Sequence, residues 1–214
     1  MIVGALLCRN EADRYLKRVL ANASQFCDKI VAIDDASTDD TKGVLEAAGV
    51  QIVPYGGTQR DSDASEGFWG ADESTPRATL WNAAVEAAGP DGWIYVTDAD
   101  QLLVGLEPQE FRALCKSRTV NSWSFRLHDC WNDEGTMRQD SMWQAHWHPR
   151  PWLLKAMPSP DFVPIWQAGG LHVGHFPTNY PLISAEAPGA IRHLGYVRQS
   201  DRLTKCDKYG AALA

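Results

Sequence analysis

Three observations predict an α/β fold built on a mostly parallel sheet. Short apolar runs alternate with segments of helical spacing through the first hundred residues, the pattern of right-handed βαβ crossovers. Acidic residues follow two of those runs, at 34–35 and at 98–100. Ligands of such sheets bind beyond the carboxyl ends of the strands, so acidic residues placed there face a ligand. The 214 residues are 44% hydrophobic and 22% charged, enough for one domain, taken as 1–214, with a sizeable core.

Taken in order, Ile2 to Leu7 reads as a buried strand. Asn10 stands where an N-cap belongs, with Asp13 at the capping-box position. Tyr15, Leu16, Val19, Leu20 and Ala23 then recur at helical spacing. Lys29 to Ile33 is a second strand ending at Asp34-Asp35. Ser37, Thr38 or Asp39 caps a helix that carries Val44, Leu45 and Ala48 and stops at Gly49. Val50 to Val53 is a third strand, closed by Pro54. Residues 55–76 lack periodicity and are rich in Gly, Ser and Asp; a substrate-covering loop and a loose insertion are both open readings. A helix over about 77–88 ends at Gly89-Pro90, and Trp93 to Thr97 is a fourth strand running into Asp98-Ala99-Asp100.

The second half changes character. Ser122 to Trp131 and Thr136 to Trp143 read as a hairpin closed by a turn at 132–135. Alternation puts Trp123, Phe125, Leu127, Asp129 and Trp131 on one face, and the pairing would bring Asp140 to the same side. Residues 144–192 are Pro-rich and irregular, and an amphipathic helix runs from about Ser200 to Tyr209.

Composition narrows the function classes. A net charge of -7 argues against a surface built for nucleic acid. Cys8, Cys27, Cys115, Cys130 and Cys206 are odd in number and widely spaced, without a CxxC, so neither a disulfide framework nor a zinc knuckle is expected. A reducing, cytoplasmic setting is the simpler reading. The apolar run at the N-terminus is too short for a signal peptide or a membrane span, and no later run is long enough for one. Nine tryptophans point mainly to a core of large side chains, with one or two free to stack on a sugar ring.

The acidic motifs carry the chemistry. Mg²⁺ and Mn²⁺ take hard oxygen ligands and are commonly held by one or two carboxylates together with substrate phosphates. Asp98 and Asp100, one small residue apart beyond a buried strand, offer such an open half-shell. Asp34 and Asp35 add negative charge at a neighbouring strand end, whereas Ser37 to Thr41 also fits a plain helix cap favoured by the macrodipole.

Asn10-Glu11 after the first strand, Asp34-Asp35-Ala36-Ser37-Thr38-Asp39-Asp40-Thr41 after the second and Asp98-Ala99-Asp100 after the fourth together resemble glycosyltransferase family 2. That family comprises inverting nucleotide-sugar glycosyltransferases of the GT-A fold. The likeness covers residues 2 to 103 in order and spacing. A weaker one covers Ile191 to Tyr196 with Arg202, Lys205, Lys208 and Tyr209. The resemblance implies an α/β, GT-A-like fold, with a nucleotide-binding half over 1–103 and an acceptor-binding half over 104–214. It implies a Mn²⁺ or Mg²⁺ ion and a nucleotide-sugar donor, UDP-linked by default, with a glycan, lipid, protein or nucleobase as acceptor. Asp35 or Asp34 would then accept from the nucleobase, Asp98 would sit near ribose and metal, and Asp100 would ligate the metal. Arg77 would lie near base or diphosphate, and Cys8 and Arg9 would line the nucleotide pocket. His193 would complete the metal shell, with His172 and His175 as rivals. Inverting transfer also needs a general base. Asp140 and Asp129 are the candidates, because carboxylates on an apolar face gain a raised pKa, and a cross-strand pair with Arg138 is their structural alternative. A nucleotidyltransferase of related fold and a non-catalytic sugar- or nucleotide-binding module are the competing readings. A zinc hydrolase is disfavoured by the histidine spacing.

Overall fold

The computed structural model describes residues 1–55, 73–167 and 174–209. Most of the long connection expected over 55–76, and His172, lie outside the described residues. In chain order the elements are β1 (Ile2–Cys8), α1 (Leu16–Phe26), β2 (Lys29–Asp34), α2 (Thr41–Ala47), β3 (Gln51–Ile52), α3 (Ser74–Ala88) and β4 (Trp93–Asp98). They continue as β5 (Gln101–Val104), α4 (Pro108–Leu114), β6 (Ser122–Asp129), β7 (Arg150–Lys155), β8 (Ser184–His193) and α5 (Gln199–Tyr209).

All eight strands form one sheet in the order β3-β2-β1-β4-β7-β6-β8-β5. The β3-β2-β1-β4 half is parallel, as alternating strands and helices require. β7 runs antiparallel to β4 and β6, β8 is parallel to β6, and β5 is antiparallel to β8. Along β1, Val3, Ala5 and Leu7 belong to one buried cluster with Leu80, Trp81 and Ala84 of α3. Leu6 and Cys8 join Leu16 and Leu20 of α1 and Val44 and Leu45 of α2 in another. A strand covered on both faces is apolar throughout, which is why 2–8 shows no alternation. This is the α/β arrangement expected from the sequence.

Two residues, Ala99 and Asp100, join β4 to β5. Three Cα steps reach about 11 Å at most. The four lateral steps between those strands in the sheet order would span about 19 Å if flat. The β7-β6-β8-β5 half therefore curls back toward the end of β4, with the Asp-x-Asp turn at the closing point. β5 ends the order, and Asn22 of α1 covers its outer edge by donating to the Leu103 carbonyl (3.0 Å) and accepting from its N–H (2.9 Å).

Three local expectations are corrected. Asn10 does not cap α1: the helix starts at Leu16 behind Tyr15, and Asn10 has φ 53°. Its side-chain oxygen accepts instead from the Thr38 N–H at 2.7 Å. The 122–143 hairpin keeps its first contacts, Cys130 opposite Met137 and the Arg138 N–H donating to the Asp129 carbonyl, but 136–143 forms no strand. The partners of β6 are β7 and β8. The stretch expected to be irregular over 144–192 supplies both of these strands. Pro151 and Pro188 disguise them, and each falls beside a shift in strand register, where a missing N–H is tolerated.

Candidate active site

The strand register gathers the acidic residues. Cys8 pairs with Asp34, and Leu7 with Asp98, so the carboxyl ends of β1, β2 and β4 finish at one level. The two motif segments above β1 and β2 are laced together. The Asn10 N–H donates to Ser37 Oγ (2.9 Å), Glu11 to Thr41 Oγ1 (2.7 Å) and Ala12 to Asp39 Oδ2 (3.1 Å). Ser37 to Thr41 thus satisfy the backbone of the β1–α1 loop, and Asp39 Oδ1 also accepts from the Thr41 N–H at the start of α2 (3.0 Å), while the N-cap residue Asp40 makes no side-chain cap bond.

Cys8 is buried, with its thiol on the Ile33 carbonyl (3.6 Å), and burial together with Asp34 pushes its pKa far up. It therefore stays protonated. The Arg9 guanidinium donates to the Asp35 carbonyl at 2.8 Å and lies 3.8 Å from its carboxylate. Asp35 is completely buried, while the half-buried Asp34 carboxylate accepts from the side chain and backbone of Ser37.

Asp98 is held from three sides: Arg77 donates to Oδ1 (3.1 Å), Gln101 to Oδ2 (2.9 Å), and His175 Nε2 lies 3.3 Å from Oδ2. Burial opposes its ionisation, but His175 and Arg77 outweigh it, so the carboxyl sits far below the usual range. Arg77 is itself buried and fixed one turn back by Glu73, through Nε (3.0 Å) and Nη2 (2.8 Å). Gln101 is in turn held by the indole N–H of Trp152 at 3.0 Å.

Asp100 meets His193. Gln101 of β5 and Asp129 of β6 both lie beside His193 of β8, and the Leu194 N–H donates to the Asp100 carbonyl at 2.8 Å. This brings His193 Nε2 to 3.1 Å from Asp100 Oδ2, while Nδ1 lies 2.5 Å from Asp129 Oδ1. Burial pushes the His193 pKa down, but Asp100 and Asp129 outweigh it and raise it to about 9. Burial likewise works against Asp100 and Asp129, and His193 holds both below the ordinary carboxylate range. A Cβ on Gly195 would stand 2.4 Å from Lys205 Nζ, 2.5 Å from Asp100 Oδ2 and 2.6 Å from His193 Nε2. The glycine leaves room for all three groups, and the Lys205 ammonium stands in the space that this pair faces.

The donor set, a carboxylate oxygen of Asp100 and a ring nitrogen of His193, suits a hard divalent cation, which would displace the Lys205 ammonium at the end of its flexible side chain. Neighbouring ligands of an octahedral ion bonded at about 2.1 Å stand about 3 Å apart, which matches the Asp100–His193 spacing. No group of three such side chains gathers round one point among the described residues. The protein would then contribute two ligands and leave the remaining positions to water and phosphate oxygens.

Asp140 is placed away from this pair. It is exposed, accepting from Arg138 Nε (2.7 Å) and the Met142 N–H (2.8 Å). Those bonds lower its pKa, led by the one from Arg138. The raised pKa expected for Asp129 and Asp140 is thus corrected: each carboxylate is met by hydrogen-bond donors, not by a bare apolar face. Arg138 stands over the rings of Trp131 (4.5 Å) and Trp143 (4.7 Å), and Tyr196 stacks on Trp131 at 5.3 Å.

Sequence reasoning passed over Glu73, Gln101 and Trp143. Gln101, next to the Asp-x-Asp, and Glu73, one helical turn before Arg77, carried a spacing signal; Trp143 carried none.

No family model matches the sequence. No curated protein does either. Solved structures with a similar fold include a glucosyl-3-phosphoglycerate synthase from Mycobacterium tuberculosis in complex with Mn²⁺, UDP and glucosyl-3-phosphoglycerate (18% identity, 60% of this chain, 44% of that one, TM-score 0.37). Another is a mannosyltransferase from Pyrobaculum calidifontis with GDP-Man and Mn²⁺ (20% identity, 58% and 34%, TM-score 0.39). A third is S. aureus TarS (14% identity, 66% and 23%, TM-score 0.42). The chain spans less than half the length of each of these. No helix among the described residues is long and apolar enough to cross a membrane.

Proposed function

We propose that this chain is a metal-dependent glycosyltransferase that moves a sugar, with inversion, from a nucleotide-diphosphate donor to a glycan, lipid, protein or nucleobase acceptor. UDP is the default nucleotide. The observation that carries the reading is the Asp100–His193 pair, set against Gly195 beside the Lys205 ammonium, near the carboxyl ends of a parallel sheet.

Asp100 and His193 would hold Mn²⁺ or Mg²⁺. When bound, that ion supplies Lewis-acid stabilisation of the leaving diphosphate. Asp98, kept ionised by Arg77 and His175, closes the donor side near ribose and metal. Arg77 sets its orientation from beneath. Cys8, Arg9, Asp34 and Asp35 form the nucleotide end. Asp140, exposed and held by Arg138, would take the acceptor hydroxyl proton. Trp131, Trp143 and Tyr196 support Arg138, which fixes Asp140.

The test is donor hydrolysis without acceptor, measured across a nucleotide-sugar panel with Mn²⁺. Turnover by the wild type is expected to fall at least about a hundredfold in Asp100→Asn and in Gly195→Ala, whose methyl would crowd the pair. A wild type that neither turns over nor binds any nucleotide sugar would remove the proposal. Tight sugar binding with no metal requirement would favour the binding-module reading.

A further inference from the structure

His193 is gripped at both nitrogens, and the grip on Nδ1 comes from β6. The β6–β8 register pairs Asp129 with His193, and the Cys130 N–H donates to the His193 carbonyl at 2.9 Å, so backbone bonding sets the two side chains side by side. Asp129 is 5% exposed. Its Oδ1 meets His193 Nδ1 at 2.5 Å, and its Oδ2 accepts from the Trp143 indole N–H at 2.8 Å.

We infer that Asp129 is a positioning residue: it holds the His193 ring at Nδ1, so that Nε2 is the nitrogen turned toward Asp100 for a divalent cation, whose binding displaces the Nε2 proton. The inference rests on the function proposed above and deepens it. A ligating imidazole must be neutral, with one N–H, and a carboxylate on the far nitrogen selects which one. Asp129 suits this task and does not suit proton abstraction. Both its oxygens are taken, one by a ring N–H and one by an indole that can only donate. Burial also keeps it from an incoming hydroxyl. Trp143 gives the carboxylate its second anchor. Trp143 is itself packed edge-on against Trp131 (5.7 Å) and Tyr196 (5.2 Å). The segment after β6 thereby reaches the metal pair through one hydrogen bond.

The test is the Mn²⁺ affinity of the whole chain, measured calorimetrically without donor or acceptor, with melting in EDTA as the control for folding. Loss of an orienting partner costs about 10–100-fold in metal affinity. Asp129→Leu is expected to show that loss. Asp129→Asn, whose side-chain oxygen still accepts from Nδ1–H, is expected to recover most of it. Trp143→Phe is expected to fall between wild type and Asp129→Leu, and it decides the matter if Asp129→Leu does not fold. Wild-type affinity in Asp129→Leu, or in Trp143→Phe when the leucine variant does not fold, overturns the inference and leaves the proposed function standing. So does a collapse of turnover in Asp129→Asn at unchanged Mn²⁺ affinity, which would make Asp129 the base. A wild type that binds no Mn²⁺ overturns both.

Discussion

Glu11 belongs to the Asn-Glu pair that the sequence made conspicuous, yet its side chain, close enough to feel the charge of Asp100, makes no hydrogen bond to the Asp-x-Asp. It pairs with Arg14 at 3.0 Å, and its second oxygen has no hydrogen-bond partner among the described residues. Burial raises its carboxyl to about 7, and Arg14 offsets only part of that. A carboxyl whose folded pKa exceeds its unfolded value contributes stability below the unfolded pKa, near 4.5, and loses it as pH rises through about 7. Glu11→Gln is therefore expected to stabilise the metal-free protein at pH 8, by of the order of 2 kcal/mol, with no gain at pH 4. Urea titrations of both proteins at the two pH values check this, and an equal effect at both would refute it. The residues themselves were legible in the sequence where their chemistry needs a fixed spacing, as with Asp98 and Asp100. Partners set by distant strands were not: His193 and Asp129 lie 64 residues apart in sequence, and only the β6–β8 register joins them.

Elements were legible where periodicity survived. β1, β2, β4, α1 and α3 follow from unbroken apolar runs and helical spacing. α4 was left unread, although Pro108 in its first turn and the Glu107–Glu110 capping box mark its start. β7 and β8 escaped because proline at a bulge breaks the alternation that identifies a strand. The α3–β4 contact also shows what an element does for the site. Arg77 on α3 lies between Glu73, one turn back, and Asp98 at the end of β4, with 7% of its side chain exposed. Removing the cation takes a donor from both carboxylates, and breaking a buried pair in this way costs about 3–5 kcal/mol. Arg77→Met is expected to lose about 3 kcal/mol, discounted for the partial exposure of Asp98. Glu73→Gln in the same chain is expected to restore part of it. Chemical denaturation of the single and double variants provides the measurement, and strictly additive losses would show that the two residues do not act as a pair.

At the scale of the whole molecule, the curl of the sheet makes the Asp100–His193 pair a junction between distant parts of the chain. Asp100 follows β4, whereas His193 ends β8, the strand that lies between β6 and β5. Arg14, from the loop before α1, also reaches Asp201 of α5 at 3.3 Å, so the segments around the site are tied on more than one side. A cation held by Asp100 and His193 binds only when these segments are together, and binding restricted to the folded state stabilises it by mass action. At a hundredfold excess over its dissociation constant, Mn²⁺ should contribute about 2.7 kcal/mol. For a chain of this length each kcal/mol raises Tm by about 2–4 °C, so a rise of about 5–10 °C is expected, within one cooperative transition. Asp100→Asn removes a ligand from one side of the junction, and its melting temperature should not respond to Mn²⁺. If the variant and the wild type shift equally, the ion binds elsewhere, and the junction at Asp100 and His193 is not its site.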